Sequence, residues 1–502
     1  MKKKRIFVTG TTGTMGGETM KQLLERPDTF TVITLARDSE KNRVFMEPYL
    51  SNPNIEIFWG DLTNYEDVLR CVTNVDYVVH CAAFISPAAD RYPKEAMQIN
   101  YGGTLNIIKA IKAQPNQDEI KLINIGTVAE TGDRMAPIHW GRVGDPLKPS
   151  IHDYYAVSKI AAERAVIESG LKYWVSLRQT GIMSIKEFSL NEGIAFHQPL
   201  NNVLEWVTAT DSGVLCANAC EEWVDEGFWG HVYNIGGGES CRVTNYELMS
   251  KMMAKIGISD FRKVAEPNWY ATHNFHGQWY LDSDKLDDFL HYRSQSVDDF
   301  VEFYGQVMQQ AASEQADSMP TITPEQIVQG IRENNERTAL TDTGTLHWVI
   351  NNEDEQLDAF FISRKKWAEI PGWDKFVLHR PVGTPVVLDH GYDETKPESE
   401  LTIEDVKKAA LFRGGKCLSD SMTVGNWSDK LNFQCHCGHH FSASPRLILE
   451  AGHWCDECER ESWNFNEQAK HSPFFAQVWN PLHDEDELAR CYVKEVKDTD
   501  II

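Results

Sequence analysis

The sequence predicts an α/β fold, a doubly wound parallel sheet with a mixed subdomain and a small C-terminal metal-binding module. Three observations lead there. Short apolar runs alternate with helix-like segments from Lys4 to about residue 240, the pattern of strands buried on both faces and joined by crossover helices. A glycine-rich turn follows the first run directly, and four cysteines crowd into "FQCHCGHHFSASPRLILEAGHWCDECER", Phe433 to Arg460.

The runs "RIFVTG", "FTVITLAR", "VDYVVHCAA", "IKLINIGT" and "KYWVSLRQTG" read as strands because they are short and nearly continuously apolar. Between them "GGETMKQLLERP", "YEDVLRCV", "GTLNIIKAIKA" and "SKIAAERAVIESG" place apolar residues at helical spacing. From about 195 to 310 the alternation loosens into a mixed segment with "VYNIGGGES" and "NFHGQWYLDSDKL". A helix is expected over "SVDDFVEFYGQVMQQAASEQADS", another over "ITPEQIVQGIRENN", and an extended run over "HRPVGTPVVLDH". Asp389 to Lys408 is acidic with few apolar residues and reads as a linker or exposed arm. The expected division is residues 1–310 as a nucleotide-binding domain with substrate-facing elements at about 180–300, 311–400 as an accessory region and linker, and 401–502 as the metal-binding module.

Composition narrows the function. With 42% hydrophobic and 25% charged residues the chain can bury substantial cores. A net charge of −25 repels nucleic acid and anionic membranes, so neither is an expected partner. The basic start "MKKKRIFVTG" runs into "TTGTMGGETM", with no apolar signal segment, and no run approaches the ~18 apolar residues of a membrane span. Scattered cysteines outside the terminal cluster fit reduced thiols, and a cytoplasmic location is expected.

The turn from Gly10 through Thr12, Gly13, Thr14 and Met15 to Gly16 lies between the first strand and the first helix. Glycines there permit a tight turn and close backbone approach, and the helix N-terminus offers free N–H groups to a pyrophosphate. At the end of the second strand Ala36 and Arg37 stand where an NAD site usually places a carboxylate on the ribose. A guanidinium in that place favours the 2′-phosphate of NADP, with NAD as the alternative cofactor.

In "DYYAVSKIAAERA", Tyr155 and Lys159 are four apart at a helix start and share one face. An ammonium beside a phenol favours the phenolate, so the pair suits proton transfer at a carbinol oxygen while hydride moves to or from nicotinamide. Together with Gly10, Gly13 and Gly16, "GDLTN", "HCAA", "NYGGTLN", "INIGTVAETG" and "LRQTG", this stretch resembles the extended short-chain dehydrogenase/reductase superfamily, with its Rossmann domain and epimerase/dehydratase-like members. The resemblance covers about residues 4–240. It implies Tyr155 as general acid/base, Lys159 on the nicotinamide ribose, and Thr127 on the substrate oxygen. It also implies Asp61 and Leu62 bordering the adenine and Ala82 and Ala83 lining the cofactor. Asn100 is grouped with the cofactor residues as a stabiliser of backbone, and His80 is expected to be structural.

Departures from the family narrow the chemistry. Val128 and Ala129 follow Thr127 where sugar-nucleotide 4,6-dehydratases carry Asp-Glu, and "RQTGIMS" lacks the asparagine usual in sugar epimerases. The expectation is therefore an oxidoreductase acting on a fairly apolar carbonyl or alcohol. A sugar-nucleotide epimerase and a cofactor-binding sensor or scaffold are the alternatives. Pairing through helices of the α/β domain, common in the superfamily, makes a homodimer a further expectation.

The terminal cluster pairs Cys455-Asp-Glu-Cys458 with an upstream knuckle, Cys435-His-Cys437-Gly-His439. Two such knuckles suit tetrahedral zinc. The stretch resembles treble-clef zinc ribbons, which implies Cys435, His439, Cys455 and Cys458 as ligands, with Cys437 or His440 as the alternative to His439. Four protein ligands close the coordination sphere, so a structural ion is expected. Phe441, Trp454 and Trp463 are aromatics of the kind that stack on bases. Residues 401–502, however, hold 11 Lys and Arg against 17 Asp and Glu.

Overall fold

The computed structural model describes residues 2–188, 192–316, 323–461 and 464–483. Seven strands form the central sheet: β1 (Lys4–Thr9), β2 (Phe30–Ala36), β3 (Ile55–Trp59), β4 (Tyr77–His80), β5 (Lys121–Thr127), β6 (Tyr173–Gln179) and β7 (His231–Asn234). Their order is 7-6-5-4-1-2-3 and every pair is parallel. The order reverses between β1 and β4, which opens a crevice at the carboxyl ends of those strands.

Neither edge strand is signalled by the apolar pattern of the sequence, and for the same reason. An edge strand needs less apolar side-chain area than a central one. All five residues of β3 are half-buried, and Glu56 within it pairs with Arg5 at 2.7 Å. The four-residue β7 lies inside the segment that reads as mixed.

Alternate residues of the strands feed opposite cores. On one face Ile6, Val8 and Val32 pack with helices α1 (Thr14–Leu24) and α5 (Ala209–Asn218). On the other, Phe7, Ile33 and Leu35 pack with α2 (Tyr65–Val72), α3 (Gly103–Lys112) and α4 (Tyr154–Ile167).

The second core does not stop at α4. Trp174 of β6 and Val232 of β7 pack in one continuous cluster with Val406 and Ala409 of α6 (Ile403–Phe412), Leu447 and Cys455. The C-terminal module thus supplies the layer that would otherwise be missing over the β6–β7 edge. It contains strands β8 (Lys416–Cys417), β9 (Leu431–Gln434) and β10 (His440–Ala443), an antiparallel trio, and helix α7 (Phe465–His471). Residues 462, 463 and 484–502, and with them Trp463, lie outside the described residues.

The acidic segment expected as a linker or exposed arm is anchored instead. His390 is buried and contacts Asp145 at 3.0 Å, while Arg142 holds Glu394 through two nitrogens. Most of its acidic residues are exposed as their charge signalled, but His390 and Glu394 tie the segment to Asp145 and Arg142. The accessory region packs on the substrate side. Trp348 and Phe360 share a core with Ile138, Ile151 and Ala271, and Trp479 of the C-terminal helix Pro473–Trp479 closes it. Among the described residues no helix is long and apolar enough to cross a membrane.

Candidate active site

The glycine turn is built by exclusion of side chains. Gly10 has φ +73°, and a Cβ there would lie 2.8 Å from the backbone of Ala82 on the neighbouring strand end. A Cβ on Gly16 would approach the Gly10 carbonyl oxygen to 2.3 Å, so the first turn of α1 lies directly against the loop. Gly13 donates to the Gly10 carbonyl at 2.9 Å and caps α1 without a side chain. No acidic residue occupies the first turn of α1. Free N–H groups and a cradle that any Cβ would fill fit a dinucleotide pyrophosphate. Thr12 and Thr14 flank Gly13, Thr14 donates to Glu187 at 2.8 Å, and Met15 is buried under the turn.

The remaining cofactor candidates converge on the same crevice. Asp61 and Leu62 follow β3. Asp61 accepts from the backbone and hydroxyl of Thr63, and Leu62 lies so close to Gly103 that a Cβ there would meet its side chain at 2.7 Å. Arg37 follows β2, exposed, its side chain without an ion pair among the described residues. Ala82 and Ala83 follow β4, and the Ala82 N–H donates to Thr9 at 3.0 Å. His80 bridges Thr9 (2.9 Å) and Thr104 (3.0 Å) beneath them. Burial pushes its imidazole down to about 3, so it stays neutral and structural. Asn100 clamps both backbone groups of Phe84 and donates to Ser158 at 2.8 Å, which ties the strand-end loop to the catalytic helix.

Thr127, Tyr155 and Lys159 come together. Thr127 ends β5, and its hydroxyl, which accepts from the Ala129 N–H at 3.2 Å, lies near enough to the Tyr155 phenol at the start of α4 to favour its ionised form. Lys159 is one turn further on and 2% exposed. The electrostatics differ from the simple tyrosine–lysine picture. Burial raises the Tyr155 phenol above its ordinary value against a lowering by Thr127, while burial lowers Lys159 against the pull of Glu130 and Glu163.

These carboxylates belong to a buried cluster that no sequence motif announces. Glu130 accepts the Thr127 N–H at 3.0 Å and pairs with Arg178 at 3.2 Å. Glu163 pairs with Arg178 at 2.5 Å and accepts from Ser176 at 2.8 Å. Burial and repulsion by Glu163 push Glu130 up to about 8. Asp90 is equally silent in the sequence: it accepts the backbone N–H groups of Tyr154 (3.0 Å) and Tyr155 (3.3 Å) and so caps α4 from another segment. Only Glu163 leaves a trace there, four residues after Lys159 and on its face.

The metal candidates assemble in the module. Cys435 lies just after β9, His439 just before β10, and Cys455 and Cys458 bound the helix Asp456–Glu459 at its start. One ligand atom from each lies within 4.8 Å of the others. The Cys435 and Cys458 sulfurs are 3.8 Å apart, and His439 Nδ1 is 3.5 Å and 3.6 Å from Cys455 and Cys458. A tetrahedral zinc with bonds of ~2.3 Å to sulfur and ~2.0 Å to nitrogen has edges of about 3.8 and about 3.5 Å. The donor set fits. His439 Nε2 faces Glu457 at 3.6 Å, the outer partner such a ligand uses. Cys437 is exposed, 3.2 Å from His436, and lies outside the group, as does His440. The four-residue group therefore contains His439 and not Cys437.

Residues 6–184 match the sequence model described as NAD dependent epimerase/dehydratase family. UDP-glucose 4-epimerase of Rickettsia canadensis (strain McKiel) is 34% identical over 111 residues, 21% of this chain and 32% of that protein. The decarboxylating sterol-4-alpha-carboxylate 3-dehydrogenase of Mus musculus is 30% identical over 169 residues, 34% of this chain and 42% of that protein. The matches therefore span less than half the length of these curated relatives. The crystal structure of dTDP-glucose 4,6-dehydratase from Bacillus anthracis str. Ames in complex with NAD aligns with a TM-score of 0.50 at 18% identity. It covers 62% of this chain and 98% of that one, a shared fold.

Proposed function

We propose that the chain is an NADP-preferring oxidoreductase acting on the carbonyl or carbinol carbon of a fairly apolar small molecule. The observation that carries this reading is the proximity of Thr127 to Tyr155, with Lys159 one turn on, at the carboxyl edge of the sheet with the glycine turn. When bound, the nicotinamide supplies the hydride donor or acceptor. Tyr155 moves the proton at the substrate oxygen, Thr127 orients that oxygen, and Lys159 holds the ribose. Arg37 takes the 2′-phosphate and the α1 N-terminus takes the pyrophosphate. Val128, Leu204 and Tyr280 form a buried apolar cluster that starts at the residue after Thr127, and this supports an apolar substrate wall. The four-ligand centre is structural in this reading, because it leaves no open position for substrate.

A second reading is an epimerase that oxidises a sugar carbon transiently. It is supported by the similarity to UDP-glucose 4-epimerase and by Gln179. That residue pairs with Thr127 across the sheet and keeps a buried side-chain oxygen without a hydrogen-bond partner, an acceptor suited to a hydroxylated substrate.

Tyr155→Phe tests both. It should retain NADPH binding and lower turnover by roughly 10²–10⁴-fold. Full turnover in that variant would remove the proposal. Net formation of NADPH or NADP with substrate marks the oxidoreductase, and substrate isomerisation without net redox marks the epimerase.

A further inference from the structure

The C-terminal module reaches the catalytic helix through a histidine that the metal does not need. His453 is fully buried two residues before Cys455, and it is absent from the four-ligand group. Its Nε2 lies 3.2 Å from Glu163 and its Nδ1 lies 3.3 Å from Glu459. Glu459 is in turn held by the Trp454 N–H and by Arg164 of α4 at 3.5 Å. Arg178, which pairs with Glu163, also donates to the Ala451 carbonyl at 2.7 Å. Module and catalytic helix therefore meet in one dry polar junction.

Glu163 stands one helical turn from Lys159, with the same face and opposite charge. A buried carboxylate draws donors within reach, because an unpaired lone pair in the core is costly. With Arg178, Ser176 and His453 all contacting Glu163, its oxygens are supplied without the lysine.

We infer that His453 is a positioning residue for Lys159. By sharing Glu163 Oε1 with Arg178 it completes the donors of that carboxylate and leaves the ammonium free to project toward the cofactor side of the crevice. Loss of His453 lets Glu163 draw the lysine back along the helix. The module, on this view, completes the active site from behind rather than merely filling the sheet edge. The inference rests on the reading of Lys159 as the ribose-binding group.

The test uses the full-length, metal-loaded protein and NADPH as the probe, with binding followed by fluorescence. His453→Leu should weaken NADPH roughly tenfold while metal content stays that of the wild type. In a Lys159→Met background the same substitution should add no further loss, because the group through which His453 acts is gone. Undiminished affinity in H453L, or an equal loss in both backgrounds, would overturn the inference. If H453L does not fold, Glu459→Gln, which weakens the other anchor of the histidine, carries the same cycle: a loss confined to the Lys159 background supports the inference, and any other pattern overturns it. A wild-type protein that binds neither NADPH nor NADH would defeat the proposed function, and this inference with it. Binding by the wild type with an unresponsive H453L defeats the inference alone.

Discussion

The Asp90 carboxylate accepts the backbone N–H of Tyr155 at 3.3 Å, so a group from another segment joins the N-cap Asp153 in holding the start of α4. Burial, with repulsion from Asp153, pushes Asp90 up to about 8. A carboxyl raised in the folded state contributes stability that is full below its unfolded value near 4 and is lost as pH rises through about 8. Glu130, also at about 8, adds the same sign. Stability should therefore fall between about pH 4 and about pH 8 and level off above that, each group contributing at most ~1.4 kcal/mol per pH unit. Asp90→Asn keeps the accepting oxygen and removes the charge, so urea unfolding at pH 5, 7 and 9 should show a shallower decline. Parallel wild-type and D90N profiles would contradict this assignment.

Gly10 and Gly170 share a left-handed backbone, φ +73° and +71°, but only Gly10 faces a wall. Gly10→Ala should cost about 1–3 kcal/mol in stability and abolish NADPH binding, since the new methyl meets the Ala82 backbone. Gly170→Ala meets nothing within 4 Å and should cost about 1 kcal/mol with affinity retained. Thermal melts and NADPH titrations on both variants separate strain from cradle.

Arg37 is exposed beside the crevice with its charge available. Arg37→Ala should reduce the preference for NADPH over NADH by roughly tenfold, mainly by weakening NADPH. Equal loss of both cofactors would assign the arginine to folding instead.

The tetrahedral edges around His439 make a prediction about its neighbour. His439→Ala should lose the metal and destabilise the chain by about 3 kcal/mol or more, because an incomplete site leaves buried thiols that also belong to the shared core. Cys437→Ser should keep one ion per chain by elemental analysis. The opposite pattern would restore Cys437 as the ligand.

Local chemistry made much of this molecule readable from its residues. Strand–glycine–helix order placed the nucleotide crevice, and i, i+4 spacing put Tyr155 and Lys159 on one helix face. Two knuckles near Cys435 and Cys455 announced a group of four side chains that could hold a metal ion. These signals are short-range: they depend on periodicity and on spacings of a few residues, which a chain carries in its own order. The edge strands, the anchoring of His390, the place of His439 in the four-residue group and the bonds of Asp90 to the start of α4 depend on which segments meet. So does the contact between His453 and Glu163, which lie 290 residues apart. No spacing rule encodes such a pair. It exists because the β6–β7 edge needed covering, and the hydrophobic burial that brought the module there set its polar groups against the catalytic helix.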